Sequence, residues 1–239
     1  MSDDKPFSGK LALVTGASRG IGAATAKALA ASGAHVILTA RDVRKLEEVE
    51  DTIHAAGGAS TIAPVDLTEA DGVARLASAI GGRWDALDIL VIAAAYLPHL
   101  TPVTQIDAKQ FGQAMTINVM ATQALLANFD PLLKQSKDAH VVGLTSSVGA
   151  APRAFWSAYG ASKAAFDNIL ESYAREVEKI AKIKVAIVDP GATRTAMREK
   201  AYPGEDPKTV KPPEDVALRI VEMIGEDHAT PHRERVNAA

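Results

Sequence analysis

Six short apolar runs, each followed by a longer stretch of helical period, limit what this chain can fold into more than any other feature. The runs are LALVT (11–15), HVILT (35–39), STIAPV (60–65), DILVIAA (88–94), HVVGLTS (140–146) and KVAIVD (184–189). They are apolar at consecutive positions rather than alternate ones, as parallel strands covered on both faces must be. Helical stretches fall near 21–32, 42–56, 69–82, 107–128, 156–180 and 214–224. Strands alternating with helices join through right-handed crossovers, which predicts an α/β fold built on a doubly wound parallel sheet with helices on both faces. Thr68 with Asp71 reads as a capping box opening the third helix, and Asp42 as the N-cap of the second.

At 239 residues such a pattern is expected to form one domain, 1–239. Its core spans about 9–224, a Pro- and Gly-rich flap lies near 192–213, and a polar tail, 225–239, ends without a convincing strand. The net charge of −3, with no basic block, argues against nucleic acid as a partner. The absence of cysteine excludes disulfides, thiolate catalysis and cysteine-ligated metals. No apolar run approaches the roughly 18 residues of a membrane span. The N-terminus, MSDDKPFSGK, lacks an apolar secretory core, so a cytoplasmic protein is expected. The 6 histidines have no metal-ligand spacing, His228 and His232 included, and no metal is expected.

Between the first strand and its helix stand Gly16, Gly20 and Gly22, in the order G-x-x-x-G-x-G. Such a turn lets backbone N–H groups approach a pyrophosphate, and the helix N-terminus adds a favourable field. The second strand runs out in Thr39, Ala40 and Arg41. A free ribose 2′-hydroxyl calls for a carboxylate there, whereas a 2′-phosphate calls for positive charge. Arg41, with Arg19 from the glycine turn, therefore points to NADP(H) in preference to NAD(H).

Residues 157–166 read SAYGASKAAF, with Tyr159 and Lys163 one helical turn apart. Spacing alone leaves open a catalytic pair or two side chains that share a helix face. With TGASRGIG (15–22) and YGASK (159–163) both present, the chain resembles the short-chain dehydrogenase/reductase family over roughly 9–224. The resemblance implies a single Rossmann-type domain, NAD(P)-dependent oxidoreduction of a small-molecule carbonyl or alcohol, and a homo-oligomer. It marks Asn118, Ser146, Tyr159 and Lys163 as catalytic. Cofactor contacts are implied for Gly16, Ser18, Arg19, Gly20, Ile21, Gly22 and Arg41. They are also implied for Asp66 and Leu67 after the third strand, for Tyr159 and Lys163, and for Pro190, Gly191, Thr193 and Thr195 of DPGATRT.

In this reading NADPH supplies a hydride and Tyr159 a proton. The Lys163 ammonium is expected to lower the phenol pKa, and Ser146 to hold the substrate oxygen. Asn118 would anchor a water on a proton path. Tyr96, Phe155, Trp156, Met197 and Tyr202 are candidate substrate contacts. Two departures from the family pattern stand out. Ile92, Ala93, Ala94 and Ala95 replace Asn-Asn-Ala-Gly, which removes amide hydrogen bonds worth about 1 kcal/mol each. The terminal RERVNAA lacks the strand that closes one subunit interface, which favours a dimer over a tetramer. The leading expectation is thus a ketone or aldehyde reductase, with 3-oxoacyl thioesters among its candidate substrates. The alternative is a catalytically weak or inactive NADP(H)-binding sensor or scaffold, and an epimerase or dehydratase stands third.

Overall fold

The computed structural model describes residues 5–237; the ends of the two terminal readings, 1–4 and 238–239, lie outside them. The chain runs β1 (Leu11–Thr15), α1 (Gly20–Ala31), β2 (His35–Thr39), α2 (Val43–Ala55), β3 (Ala59–Ile62), α3 (Gly72–Gly81) and β4 (Ile89–Ile92). It continues with α4 (Ala108–Met115), a π-helical turn (Thr116–Met120), α5 (Ala121–Gln135), β5 (Ala139–Leu144) and the one-turn α6 (Ser147–Ala150). The last part holds α7 (Ser157–Val177), β6 (Ile183–Asp189), α8 (Ala196–Ala201), α9 (Pro213–Gly225) and β7 (His232–Arg235).

Among the described residues, seven strands form one sheet in the order β3-β2-β1-β4-β5-β6-β7, with every pairing parallel. The consecutive apolar residues of each strand are explained by its two covered faces. Ala12, Val14, Ile89 and Val91 meet α1, α2 and α9, whereas Leu11, Leu13, Leu90 and Ile92 meet α3, α5 and α7. The order in which strands are added reverses between β1 and β4, so the crevice of an open α/β sheet lies above the carboxyl ends of these two strands.

Several boundaries differ from expectation. β3, β4 and β5 stop short of the apolar runs that announced them, because those residues leave the sheet at its carboxyl edge. α5 continues through Pro131 to Gln135, held by the buried Leu125, Leu126, Phe129 and Leu133. The capping box does not form: α3 begins at Gly72, Asp71 makes no side-chain capping bond, and the Thr68 hydroxyl serves Asp66 instead. Asp42 does cap α2, accepting from the Lys45 N–H at 3.3 Å.

The largest correction is the tail. β7 pairs with β6 in the register Ala186↔His232 to Asp189↔Arg235. An edge strand has only one neighbour and is stabilised here by charge. Arg219 of α9 grips Glu234 at 2.6 and 2.9 Å, and Arg235 reaches Asp189 at 3.6 Å. The argument against a tetramer therefore loses its premise. No helix among the described residues is long and apolar enough to cross a membrane.

Candidate active site

The glycine turn follows directly from β1. Gly16 and Gly20 have φ of 68° and 57°, a region closed to most residues by the Cβ. Gly22 is required by proximity, since a Cβ there would stand 2.3 Å from the Gly16 carbonyl oxygen. α1 opens with Arg19 at the N-cap, no capping side chain and no acidic residue in the first turn. Its N-terminal N–H groups are thus left for an anion, and Ser18 and Ile21 flank them half-buried.

Because β2 and β3 are neighbours, their exits bring Arg41 Nη1 to 3.9 Å from Asp66 Oδ2. Asp66 Oδ1 accepts the Thr68 N–H at 2.9 Å and the Thr68 hydroxyl at 2.8 Å. The Thr68 N–H above all, with its hydroxyl and Arg41 in support, holds the carboxyl below its usual range. Leu67 beside it packs onto the core. After β6, Asp189 Oδ1 accepts the Gly191 N–H at 3.0 Å, and the buried Thr193 donates to the Pro190 carbonyl at 3.0 Å. The Thr195 methyl lies 3.3 Å from where a Cβ on Gly20 would stand, so this turn closes on the glycine turn.

Tyr159 and Lys163 lie on α7, both buried. Lys163 Nζ donates to the Leu144 carbonyl at 2.7 Å and sits 4.2 Å over the Phe166 ring. Burial lowers its pKa to about 8, against the pull of Asp167 in the other direction. Burial pushes the Tyr159 phenol above its ordinary value, and the Asp189 carboxylate adds to this. The expected dominance of lysine over phenol is therefore not observed. The ammonium turns to the end of β5 and stands 6.0 Å from the centre of the tyrosine ring.

Ser146 follows β5 as the N-cap of α6, half-buried, and α6 lays Val148 against Tyr159. Asn118 is fully buried in the π-helical turn, a distortion that often accompanies functional sites. Its Oδ1 accepts the Tyr96 N–H at 2.8 Å, and its Nδ2 donates to the Tyr96 carbonyl at 3.0 Å and to Ser162 Oγ at 2.8 Å. The Ser162 hydroxyl donates in turn to the Tyr159 carbonyl at 2.8 Å.

The family model of short chain dehydrogenases matches residues 10–206. The chain belongs to the short-chain dehydrogenase family. It is 34% identical over 221 residues to the oxidoreductase YciK of Escherichia coli K12, covering 91% of this chain and 87% of that one. A solved chain from Pseudomonas syringae, described as a short chain dehydrogenase, superposes with a TM-score of 0.93 at 37% identity, covering 98% of this chain and 97% of that one. One from Escherichia coli CFT073, complexed with NADPH, gives a TM-score of 0.92 at 33% identity and covers 98% of each chain.

Within this short-chain dehydrogenase, the Ile92–Ala95 segment is tied by a threonine side chain. The Thr15 hydroxyl accepts the N–H groups of Ala93 and Ala94 at 3.1 and 3.2 Å and donates to the Val91 carbonyl at 3.3 Å. A Cβ on Gly16 would come within 2.9 Å of Ala94, so the two strand exits lie in contact. The segment is rearranged, not untied. Sequence reasoning missed Thr15 and Ser162, although each had a signal in its place, Thr15 opening TGASRGIG and Ser162 inside YGASK.

The flap segment is tied at its neck, where Lys211 Nζ donates to the Ala192 and Val236 carbonyls at 3.2 and 2.9 Å. α8 within it brings Met197 over Tyr159, whose hydroxyl lies 3.9 Å from the sulfur. Leu97, Leu100, Val148, Trp156 and Ala201 pack with them in one apolar cluster. The Trp156 ring centre is 6.1 Å from that of Tyr159 and 5.8 Å from that of Tyr202. Two cations of the flap, Arg198 and Lys200, are internally engaged, whereas Arg194 and Lys208 lie exposed. Arg198 chelates Glu205 at 2.7 and 2.5 Å and stacks on Tyr202, and Lys200 donates to the Leu97 carbonyl at 2.9 Å. Phe155 stays 56% exposed at the rim, and no metal-binding cluster is present among the described residues.

Proposed function

We propose that this oxidoreductase is an NADP(H)-dependent reductase of ketones or aldehydes, with Tyr159 as the proton donor. The observation that carries the reading is the buried Tyr159–Lys163 pair, packed under an apolar cluster at the same sheet edge as a glycine turn ready for an anion. The cradle fits a dinucleotide: bulk is absent at Gly16, Gly20 and Gly22, and Arg19 and Arg41 offer guanidinium groups for a 2′-phosphate. The relative complexed with NADPH supports the same choice. NADPH, bound there, supplies the hydride.

The chain's own residues do the rest. Burial disfavours phenolate, so Tyr159 is held in the protonated form from which a carbonyl oxygen can be protonated. Ser146 holds that oxygen, Lys163 keeps positive charge beneath the ring, and Asn118 fixes the loop carrying Tyr96. The apolar side chains around Tyr159 favour a carbonyl flanked by apolar groups.

Thermal unfolding with matched NADPH and NADH tests the cofactor. Ligand at about a hundred times its dissociation constant adds roughly 2.7 kcal/mol. The expected result is a raised midpoint with NADPH, little change with NADH, and a narrowed difference in Arg41→Ala. Against a carbonyl panel, Tyr159→Phe is expected to lose about 10²–10⁴-fold in reduction while keeping its NADPH response. Cofactor binding with no substrate reduced would instead support the sensor reading. No shift with either nucleotide removes the proposal.

A further inference from the structure

The C-terminal strand is joined to the catalytic helix by one buried carboxylate. Asp167 lies one helical turn beyond Lys163 on α7 and is only 6% exposed. One of its oxygens, Oδ1, accepts the hydroxyl of Thr145, the residue before Ser146. The other, Oδ2, accepts Arg233 Nη1 of β7 at 3.0 Å, while Arg233 Nε donates to Glu171 Oε1 at 2.7 Å. The approach of α7 to β5 depends on Gly143, where a Cβ would lie 2.2 Å from Leu170 Cδ1. Thr145 is itself fixed in the sheet, its N–H donating to the Val188 carbonyl at 2.8 Å.

We propose that Asp167 is a positioning residue through which the C-terminal strand acts on the catalytic centre: it clamps Thr145 beside Ser146, sets its charge against Lys163, and is held in place by Arg233. A buried ammonium bonded to a neutral carbonyl needs a counter-charge in reach, and the carboxylate one turn away provides it. The charged groups facing Asp167 are Lys163 and Glu171 from α7 and Arg233 from β7, with the Thr145 hydroxyl from β5. Arg233 is half-exposed and reachable from the surface, so a change at the end of the chain reaches α7 through its contacts with Asp167 and Glu171.

The inference bears on the reductase reading but is tested without turnover. The full chain is labelled at lysine Cε, and the Lys163 resonance, assigned by its loss in Lys163→Met, is titrated by NMR. Removing the anion in Asp167→Asn is expected to lower the Lys163 midpoint by about one pH unit, a roughly tenfold change. Removing the cation in Arg233→Met is expected to raise it. Opposite shifts are the signature, because a purely structural loss lowers thermal stability without ordering the two variants by charge. Where reduction is measurable, the fall of kcat/KM at high pH moves to lower pH in Asp167→Asn and to higher pH in Arg233→Met. A midpoint unchanged in both variants, or shifted the same way in both, overturns the proposal. If Asp167→Asn does not fold, Arg233→Met decides alone, an unchanged or lowered midpoint counting against it. A wild-type chain that reduces no carbonyl removes the reductase reading and leaves the titration result standing.

Discussion

Lys163 is the residue at which stability and function oppose each other most directly. Its pKa falls from 10.5 to about 8 on folding, so the unfolded chain holds more protons between those values. Stability from this group therefore rises with pH across that window, and below it the full cost of the buried charge is present. At about 1.4 kcal/mol per pH unit the cost is on the order of 3 kcal/mol, offset by about 1–2 kcal/mol from the bond to Leu144. Lys163→Met is accordingly expected to unfold at or above the wild-type midpoint at pH 7, with the advantage gone near pH 10, and to lose activity. Paired melts at the two pH values check this; a clear loss of stability at pH 7 would mean that the Leu144 bond outweighs burial. The identity of this residue was legible from YGASK, but its partner was not. A four-residue spacing says that Tyr159 and Lys163 share a face, not that the ammonium turns to a carbonyl nineteen positions earlier in the chain.

At the scale of elements, the π-helical turn between α4 and α5 carries the most information. It holds Asn118 in the interior, where three hydrogen bonds join it to the Tyr96 backbone and to Ser162. Asn118→Ala leaves the Tyr96 N–H and C=O without these partners, at about 1–3 kcal/mol for each group that stays unsatisfied. A loss of about 2–4 kcal/mol in denaturant unfolding is expected, with a fall in kcat larger than any rise in KM. An unchanged midpoint would show that the loop re-pairs its backbone elsewhere. TINVMATQ disclosed the asparagine by resemblance but not the distortion, because the apolar positions continue at nearly helical period through it. β7 was illegible for a different reason. HRER carries no apolar run, and periodicity detects a strand only when burial on a face selects apolar residues. An edge strand held by Arg219, Asp167 and Asp189 gives no such signal, and charge is common on sheet edges.

For the whole molecule, the open question is self-association. A groove of about 530 Å³ runs between α5 and α7, lined in part by Leu126, Ala127, Ile169, Tyr173 and Ile180, the last 72% exposed. We expect this face to join two copies, with sedimentation velocity giving a dimer or larger and Ile180→Glu weakening association at least about tenfold. A monomer at every concentration sinks that expectation. The sequence by itself determined six of the seven strands, the two helical layers and the edge at which the proposed site lies. Those follow from apolar period and glycine position, which are local properties of the chain. It also named the four residues on which the reductase proposal rests. Only the tertiary structure decided how they are held: Thr15 in place of the missing asparagines, Met197 over Tyr159, and Asp167 joining β5, α7 and β7. Each of these is a meeting of residues 20 to 80 positions apart, and no local pattern selects the partner at that distance.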